Sequence, residues 1–170
     1  MIEGSIPQGS QGVQHYHRLG GWLILVALYL MAELVVLGYL AYESFSILHT
    51  QLSVPEVYLS ADVHFLVWFL QLIVTGTLVL AIVASTSLFL FFARSRLFPR
   101  LFMVFLGASA AFTLVASILV LYMPPPVSEP PYLSAWLQQF HTEPYKAIAA
   151  LLILGAYITK SRRVRNVFVH

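Results

Sequence analysis

One carboxyl group stands inside the first long apolar run of the chain. The segment ALYLMAELVVLGYL, residues 27–40, is apolar almost throughout, yet Glu33 lies near its middle. Inserting a central carboxyl group into a bilayer costs about 2.5–3.5 kcal/mol, which the Leu, Ile and Val residues of the same helix offset at about 0.3–0.6 kcal/mol each. The side chain can then serve structural hydrogen bonding inside a bundle, proton or cation handling, or contact with a partner subunit. As structural partners we expect Gln71 of the second apolar run, or Ser and Thr of the second and third.

The remaining residue types offer little chemistry. The chain has no Cys, which excludes disulfides, thiolate metal sites and covalent haem attachment. The six His residues lie outside the middle of the apolar runs, so a haem with axial ligands on facing helices is not expected. His49, His64 and His141 could converge on a metal, but their spacing matches no known ligand signature. No nucleophile–base arrangement, phosphate loop or dinucleotide motif is present, so we expect no enzyme, no cofactor and no metal.

Four long apolar runs must position these residues. They cover about 21–42, 63–93, 100–123 and 143–159. Of the 170 residues 59% are hydrophobic and 9% charged, whereas a soluble domain has about 25% charged residues. A spanning helix needs about 20 residues, so the sequence predicts one all-α domain over 1–170 with four transmembrane helices. The second run is too long for the apolar core and should protrude, and Lys146 in the short fourth run should reach towards the headgroups.

The basic residues predict the orientation. Apart from Lys146, Lys and Arg occur only before the first run, between the second and third, and after the fourth; these are Arg18, Arg94, Arg96, Arg100, Lys160, Arg162, Arg163 and Arg165. The loops 43–62 and 124–143 contain none. By the positive-inside rule both termini are cytoplasmic. The net charge of +2 therefore reflects membrane orientation, and no nucleic-acid partner is expected.

The two outer loops carry helical patterns. Ser53 and Glu56 have the spacing of a capping box, and Pro55 suits a first helical turn. Further along, apolar residues recur at helical spacing, namely Tyr132, Leu133, Trp136, Leu137 and Phe140. The first pattern predicts that the second helix begins early or that a short interfacial helix precedes it. The second pattern predicts a short interfacial helix on the outer surface, and its alternative is a coil with aromatic anchors.

Two surfaces are candidates for binding. Lys160, Arg162, Arg163 and Arg165 lie just after the fourth run, where such clusters attract anionic lipid or a cytoplasmic partner. Trp22 should anchor at headgroup level, and Phe168 could fold back onto the membrane surface. Small residues, with Gly107 and Ala111 in the third run and Thr77, Ala81, Ala84 and Ser85 in the second, predict close packing of these two helices. They also leave a second interface with another subunit possible.

Three motifs resemble a known family. RLGGWLIL stands at the start of the first run, FPRLF precedes the third, and YITKSRRVRNVFV closes the chain. Together they resemble the bacterial four-helix membrane proteins of domain-of-unknown-function family 2569. The matching residues are Gly20, Gly21, Trp22, Leu23, Phe98, Pro99, Tyr157, Lys160, Ser161, Arg163, Val164 and Phe168. Ala156 stands where that family often has Pro. The resemblance implies the fold and the orientation, but no activity.

Two functions follow as expectations. The first is a multi-pass protein of the bacterial inner membrane without catalytic site, serving as an accessory or assembly subunit of a larger membrane complex. Its partners would be anionic lipids at the cytoplasmic face and other membrane subunits. The alternative is a small proton- or ion-coupled transporter or channel component that uses Glu33. The scarcity of polar residues at depth favours the first.

Overall fold

The chain forms four long α-helices. The computed structural model describes residues 21–52, 61–122 and 131–161, together with Val164, Val167 and Phe168. The helices are α1, Trp22–Leu52; α2, Ala61–Phe92; α3, Phe98–Leu121; and α4, Pro131–Lys160. The described residues contain no strand, so the predicted all-α fold with four helices is confirmed.

Three of the described helices have the length and composition of membrane spans. In α1, α2 and α3 the stretches Trp22–Thr50, His64–Phe92 and Phe98–Leu121 each have a mean hydropathy of 2.4. α4 is also long, with 30 residues, but Glu143 and Lys146 make its middle more polar. The chain is thus a helical protein of membrane type, and the crossing of the bilayer by α4 stays a prediction.

Several helices are longer than the predicted spans. α1 continues past position 42 to Leu52. α2 has 32 residues, or about 48 Å at 1.5 Å per residue, against an apolar core of about 30 Å. Its excess length agrees with the expectation that the second run protrudes. Ser53 and Glu56, the expected capping pair, lie outside the described residues.

The segment 132–140 is helical but is not a separate interfacial helix. It is the first part of α4, which runs on through Pro144 to Lys160. A proline inside a helix removes one backbone hydrogen bond, a loss that neighbouring groups can compensate in a packed bundle. Because α4 begins so early, Glu143 and Lys146 lie in its middle rather than at its start.

The turn between α2 and α3 is tight. The Arg94 N–H donates to the Phe91 carbonyl (3.1 Å) and the Ser95 N–H to the Leu90 carbonyl (3.0 Å). These two bonds form a Schellman motif, whose left-handed position is taken here by Arg94 (φ 52°). Pro99 then lies in the first turn of α3, where its missing N–H costs nothing. The basic turn is thereby held close to both helices.

The bundle is built in chain order. The backbones pack closely between α1 and α2, α2 and α3, and α3 and α4, whereas α1 and α4 approach each other only at isolated points. The basal end of the bundle holds the start of α1, the α2–α3 turn and the end of α4. Its buried basal cluster includes Leu23, Val26, Leu30, Leu37, Leu80, Phe91, Phe98, Phe102, Phe105, Ile158, Val164 and Phe168. A distal cluster comprises Leu48, Phe69, Leu70, Ile73, Ala116 and Phe140.

Candidate functional site

A cavity of about 210 Å³ lies between the two clusters. All four helices line it: Glu33, Val36, Leu37, Tyr39 and Leu40 of α1; Leu80 of α2; Ser109, Phe112 and Thr113 of α3; and Phe140, Glu143, Lys146 and Ala147 of α4. Most of this lining is apolar. The charged side chains come from α1 and α4, which approach each other only at isolated points.

The cavity lies near the middle of the bundle. At the basal end, the rings of Trp22 and Tyr157 are 6.0 Å apart, which places these two residues at one level. Glu33 follows Trp22, and Lys146 precedes Tyr157, by eleven residues each, or about 16 Å along a helix. With the aromatic pair at headgroup level, both charged residues fall near the centre of an apolar core about 30 Å thick.

Glu33 has a partner on its own helix. The Tyr29 side chain lies one turn earlier on α1, close enough for its hydroxyl to interact with the Glu33 carboxyl group. The Tyr29 ring in turn packs edge-on against Phe102 of α3, with the ring centroids 6.4 Å apart. Both side chains are half-buried. Packing between α1 and α3 therefore fixes the ring whose hydroxyl lies beside the carboxyl group.

α4 supplies an ion pair to the same cavity. Lys146 Nζ lies 2.7 Å from Glu143 Oε1, one helical turn away. Both groups line the same cavity as Glu33. Lys146 is exposed and paired at the cavity rim, and its reach towards the headgroups stays a prediction. Two carboxyl groups and one ammonium group thus face each other across the α1–α4 seam.

α3 forms the floor. Ser109 is buried, and the Thr113 hydroxyl donates to the carbonyls of Ser109 (3.0 Å) and Ala110 (3.1 Å). Phe112 packs over Gly76 of α2 so closely that a Cβ atom there would overlap its ring. The Phe112 ring can therefore occupy its position in the cavity wall only because Gly76 has no side chain.

Gln71 is not brought to Glu33. Its side chain is exposed on α2 and does not line the cavity. Leu80 is the α2 residue that does, nine residues further on. At about 100° and 1.5 Å per residue, Gln71 lies on the opposite side of α2 and about 13 Å nearer the distal end. Gln71 therefore does not pair with Glu33, because it lies on the wrong side of α2 and at a different level along the bundle axis.

The histidines form no site in the described part of the chain. His49 and His64 are exposed, and the side chain of His141 lies outside the described residues. Among the residues described, no group of three or more His, Asp or Glu could hold a metal ion.

The small residues of α3 divide between two faces. Ala110 is buried, as are Thr77 and Ala84 of α2, so part of the expected α2–α3 packing is present. Gly107 and Ala111 do not take part in it. A Cβ atom on Gly107 would meet nothing within 4 Å, and Ala111 is exposed. This outer α3 face, with Val104, Gly107, Ala108, Ala111 and Val115, has no neighbour in the described chain.

The closing segment packs into the basal end. Phe168 is fully buried, with its ring 4.8 Å from that of Phe98 and 5.8 Å from that of Phe91. Val164, one turn earlier, is also buried. The expectation that Phe168 lies on the membrane surface is therefore wrong, because an apolar site between α2 and α3 receives it. Lys160 is exposed, whereas Arg162, Arg163 and Arg165 lie outside the described residues.

The comparison with known families agrees with the motifs. A family model described as a protein of unknown function, DUF2569, matches residues 16–169. The chain belongs to the DUF2569 family. No curated protein and no solved structure matches it.

The DUF2569 motifs meet at the basal end, away from the cavity. Trp22 of the entry motif contacts Tyr157 of the closing motif, and Phe98 of the middle motif contacts Phe168. The cavity instead contains Glu33, together with Ser109 and Thr113 of α3, which are of the residue types that the sequence predicted as its partners. Tyr29, Glu143 and Lys146 were not expected as its neighbours. The sequence places the Tyr29 hydroxyl one helical turn before Glu33, which could have indicated Tyr29 as a neighbour. No pattern in the sequence indicated that residues of α1 and α4 lie together.

Proposed function

We propose that this DUF2569 protein is a noncatalytic accessory or assembly subunit of a larger complex in the bacterial inner membrane. The observation that carries the proposal is the outer α3 face. It presents Gly107 and Ala111 without any packing neighbour in the described residues. Between helices in lipid, small residues let two backbones approach closely, and the resulting contacts drive association.

The shape of this face suits a helix of another subunit. Val104 and Val115 are exposed on the same face, about 16 Å apart along the helix at 1.5 Å per residue. Gly107, Ala108 and Ala111 lie between them and form a shallow notch. A partner helix that fills the notch makes contacts along its length, whereas lipid chains gain no preference from such a shape.

The proposed orientation supplies a second contact. With both termini cytoplasmic, the segment from Lys160 to Arg165 faces anionic headgroups, each charge contributing on the order of 1 kcal/mol. A cysteine introduced at Ser46 should then react only from the outer side of the membrane. Reaction from the cytoplasmic side alone would overturn this orientation.

Crosslinking in native membranes tests the subunit proposal. Because the chain has no Cys, Gly107→Cys carries a single reactive thiol, and a bifunctional thiol- and photoreactive reagent should give one adduct of defined mass. Adding Ala111→Ile should abolish that adduct. Gly38→Cys is the matched control, since Gly38 of α1 also has open space around it, and it should not give the same adduct. An adduct of twice the chain mass, or none, would contradict the proposal.

The ion-coupled alternative has one observation in its favour, the convergence of Glu33, Glu143 and Lys146. Among the described residues, apolar side chains of both buried clusters line the cavity beside its polar groups: Leu37 and Leu80 belong to the basal cluster, and Phe140 belongs to the distal cluster. A conducting path needs polar or hydrated groups along its length. We therefore place this function second.

A further inference from the structure

We propose that the cavity between α1 and α4 binds a membrane-dissolved amphiphile whose small, uncharged head carries hydrogen-bonding oxygen atoms. A substituted quinone ring and a long-chain alcohol both have this chemistry. The inference goes beyond the proposed subunit role, since it concerns a different face of the bundle and a ligand rather than a protein.

The first argument is the direction in which the cavity opens. Its floor is made of buried residues, Leu37, Leu80 and Ser109. Its rim is exposed: Val36 on α1 and Lys146 on α4. Since α1 and α4 approach each other only at isolated points, the opening lies along their seam. At this height the surroundings are lipid chains, so a ligand enters sideways from the membrane.

The second argument concerns the apolar walls. Val36, Leu37, Leu40 and Phe140 line the cavity beside the polar groups. An aliphatic tail leaving through the seam would contact these side chains and the surrounding lipid alike. A fully polar solute would lie against these apolar side chains without hydrogen-bond partners for its own polar groups, which is unfavourable.

The third argument is the charge already present. Glu143 and Lys146 neutralise each other at 2.7 Å, and Glu33 in its protonated form adds no charge to the cavity. An ionised head would bring an unbalanced charge about 16 Å below the headgroups, where charged groups are costly. An uncharged head avoids this cost. Lys146 has three N–H donors, so a carbonyl or hydroxyl oxygen can accept from one while Glu143 keeps another.

The fourth argument is size. The cavity has a volume of about 210 Å³, and an apolar cavity of about 150 Å³ holds a benzene molecule. A substituted six-membered ring or the first several carbons of an alcohol therefore fit. The diglyceride and phosphate part of a phospholipid is larger than this space and carries charge.

Binding to the purified full chain in phosphatidylcholine nanodiscs tests the proposal. The probes are decylubiquinone, dodecanol and palmitate, with equilibrium dialysis as the measurement. Decylubiquinone or dodecanol should bind saturably, one molecule per chain and at least tenfold more tightly than palmitate. Binding of decylubiquinone alone identifies a quinone-type head, and binding of dodecanol alone an alcohol. Equal or tighter binding of palmitate, or no saturable binding by either uncharged probe, would overturn the proposal.

A variant pair locates the site. Ala147→Leu places three extra carbon atoms at the cavity lining and should weaken binding at least tenfold. Ala149→Leu is the control, on the exposed side of α4, and should bind as the wild type does. A second variant distinguishes a blocked cavity from a misfolded chain. Ala147→Cys is purified in its folded state and should bind the ligand; modification of its thiol with a small reagent should then abolish binding by the same preparation. If Ala147→Leu and Ala149→Leu bind equally, and the modified thiol changes nothing, the ligand does not occupy this cavity.

Discussion

At the scale of single residues, Glu33 is defined by its neighbours more than by its own burial. A carboxyl group in the middle of a spanning helix needs partners inside the protein. Tyr29 lies beside it on α1, and Glu143 and Lys146 line the same cavity from α4. The residue is thus part of a small polar group that joins two otherwise loosely packed helices.

Substitution separates the structural role of Glu33 from a titrating one. Glu33→Gln keeps the shape and can still accept from Tyr29, so unfolding in mixed micelles should be unchanged. Glu33→Leu should lose the polar contacts of Glu33 with the neighbouring helices, which lowers the unfolding free energy by about 0.6 kcal/mol if they match the average for hydrogen bonds between membrane helices. Tyr29→Phe should lose a similar amount, and the double variant Tyr29→Phe, Glu33→Leu no more than either alone. Additive losses would show that the two groups do not interact, and a Gln variant that folds but fails in cells would indicate proton or cation handling.

At the scale of helices, packing depends on positions without side chains. Gly76 of α2 admits the Phe112 ring of α3, whereas Gly38 of α1 has open space around it. The sequence does not distinguish the two, because both are single glycines inside apolar helices. Their different surroundings lead to opposite expectations for the same substitution.

Gly76→Ala should destabilise the bundle by about 1–3 kcal/mol, the usual cost of overpacking. Gly38→Ala should be neutral or stabilising by up to about 1 kcal/mol, since Ala has the higher helix propensity. Unfolding of both variants in mixed micelles, with the wild type beside them, measures the difference. Equal effects at the two sites would mean that the Phe112 ring relaxes freely.

The same scale explains what could be predicted from the sequence. The helices and their order follow from apolar runs of spanning length, and Glu33 is evident as the one carboxyl group within the first. Glu143 and Lys146 were assigned to an outer loop and a helix end, because Pro144 and the polar segment before it look like a helix start. Only the continuation of α4 to Pro131 places them in a helix interior beside α1. Contacts between side chains of the first and the last helix produce no periodic pattern in a single amino-acid sequence.

At the scale of the whole molecule, the two ends of the bundle differ. The basal end joins the entry, middle and closing motifs in one aromatic cluster, with Phe168 packed between Phe91 and Phe98. The apolar residues Val164 and Phe168 are one turn apart and both buried, so the closing segment is anchored to the bundle.

The closing segment therefore combines two separable roles. Phe168→Ala removes a fully buried ring and should lower the unfolding free energy by about 3–5 kcal/mol.

Replacing Arg162, Arg163 and Arg165 together by Gln should leave unfolding nearly unchanged but weaken binding to vesicles that contain phosphatidylglycerol. That loss should shrink as salt rises from about 0.01 to 0.15 M, because the Debye length falls from about 30 to 8 Å. Unfolding in mixed micelles and vesicle flotation at the two salt concentrations measure the two effects. Unchanged flotation at low salt would leave the arginines as orientation signals only, and a Phe168→Ala chain as stable as the wild type would show that the aromatic cluster does not need the closing segment.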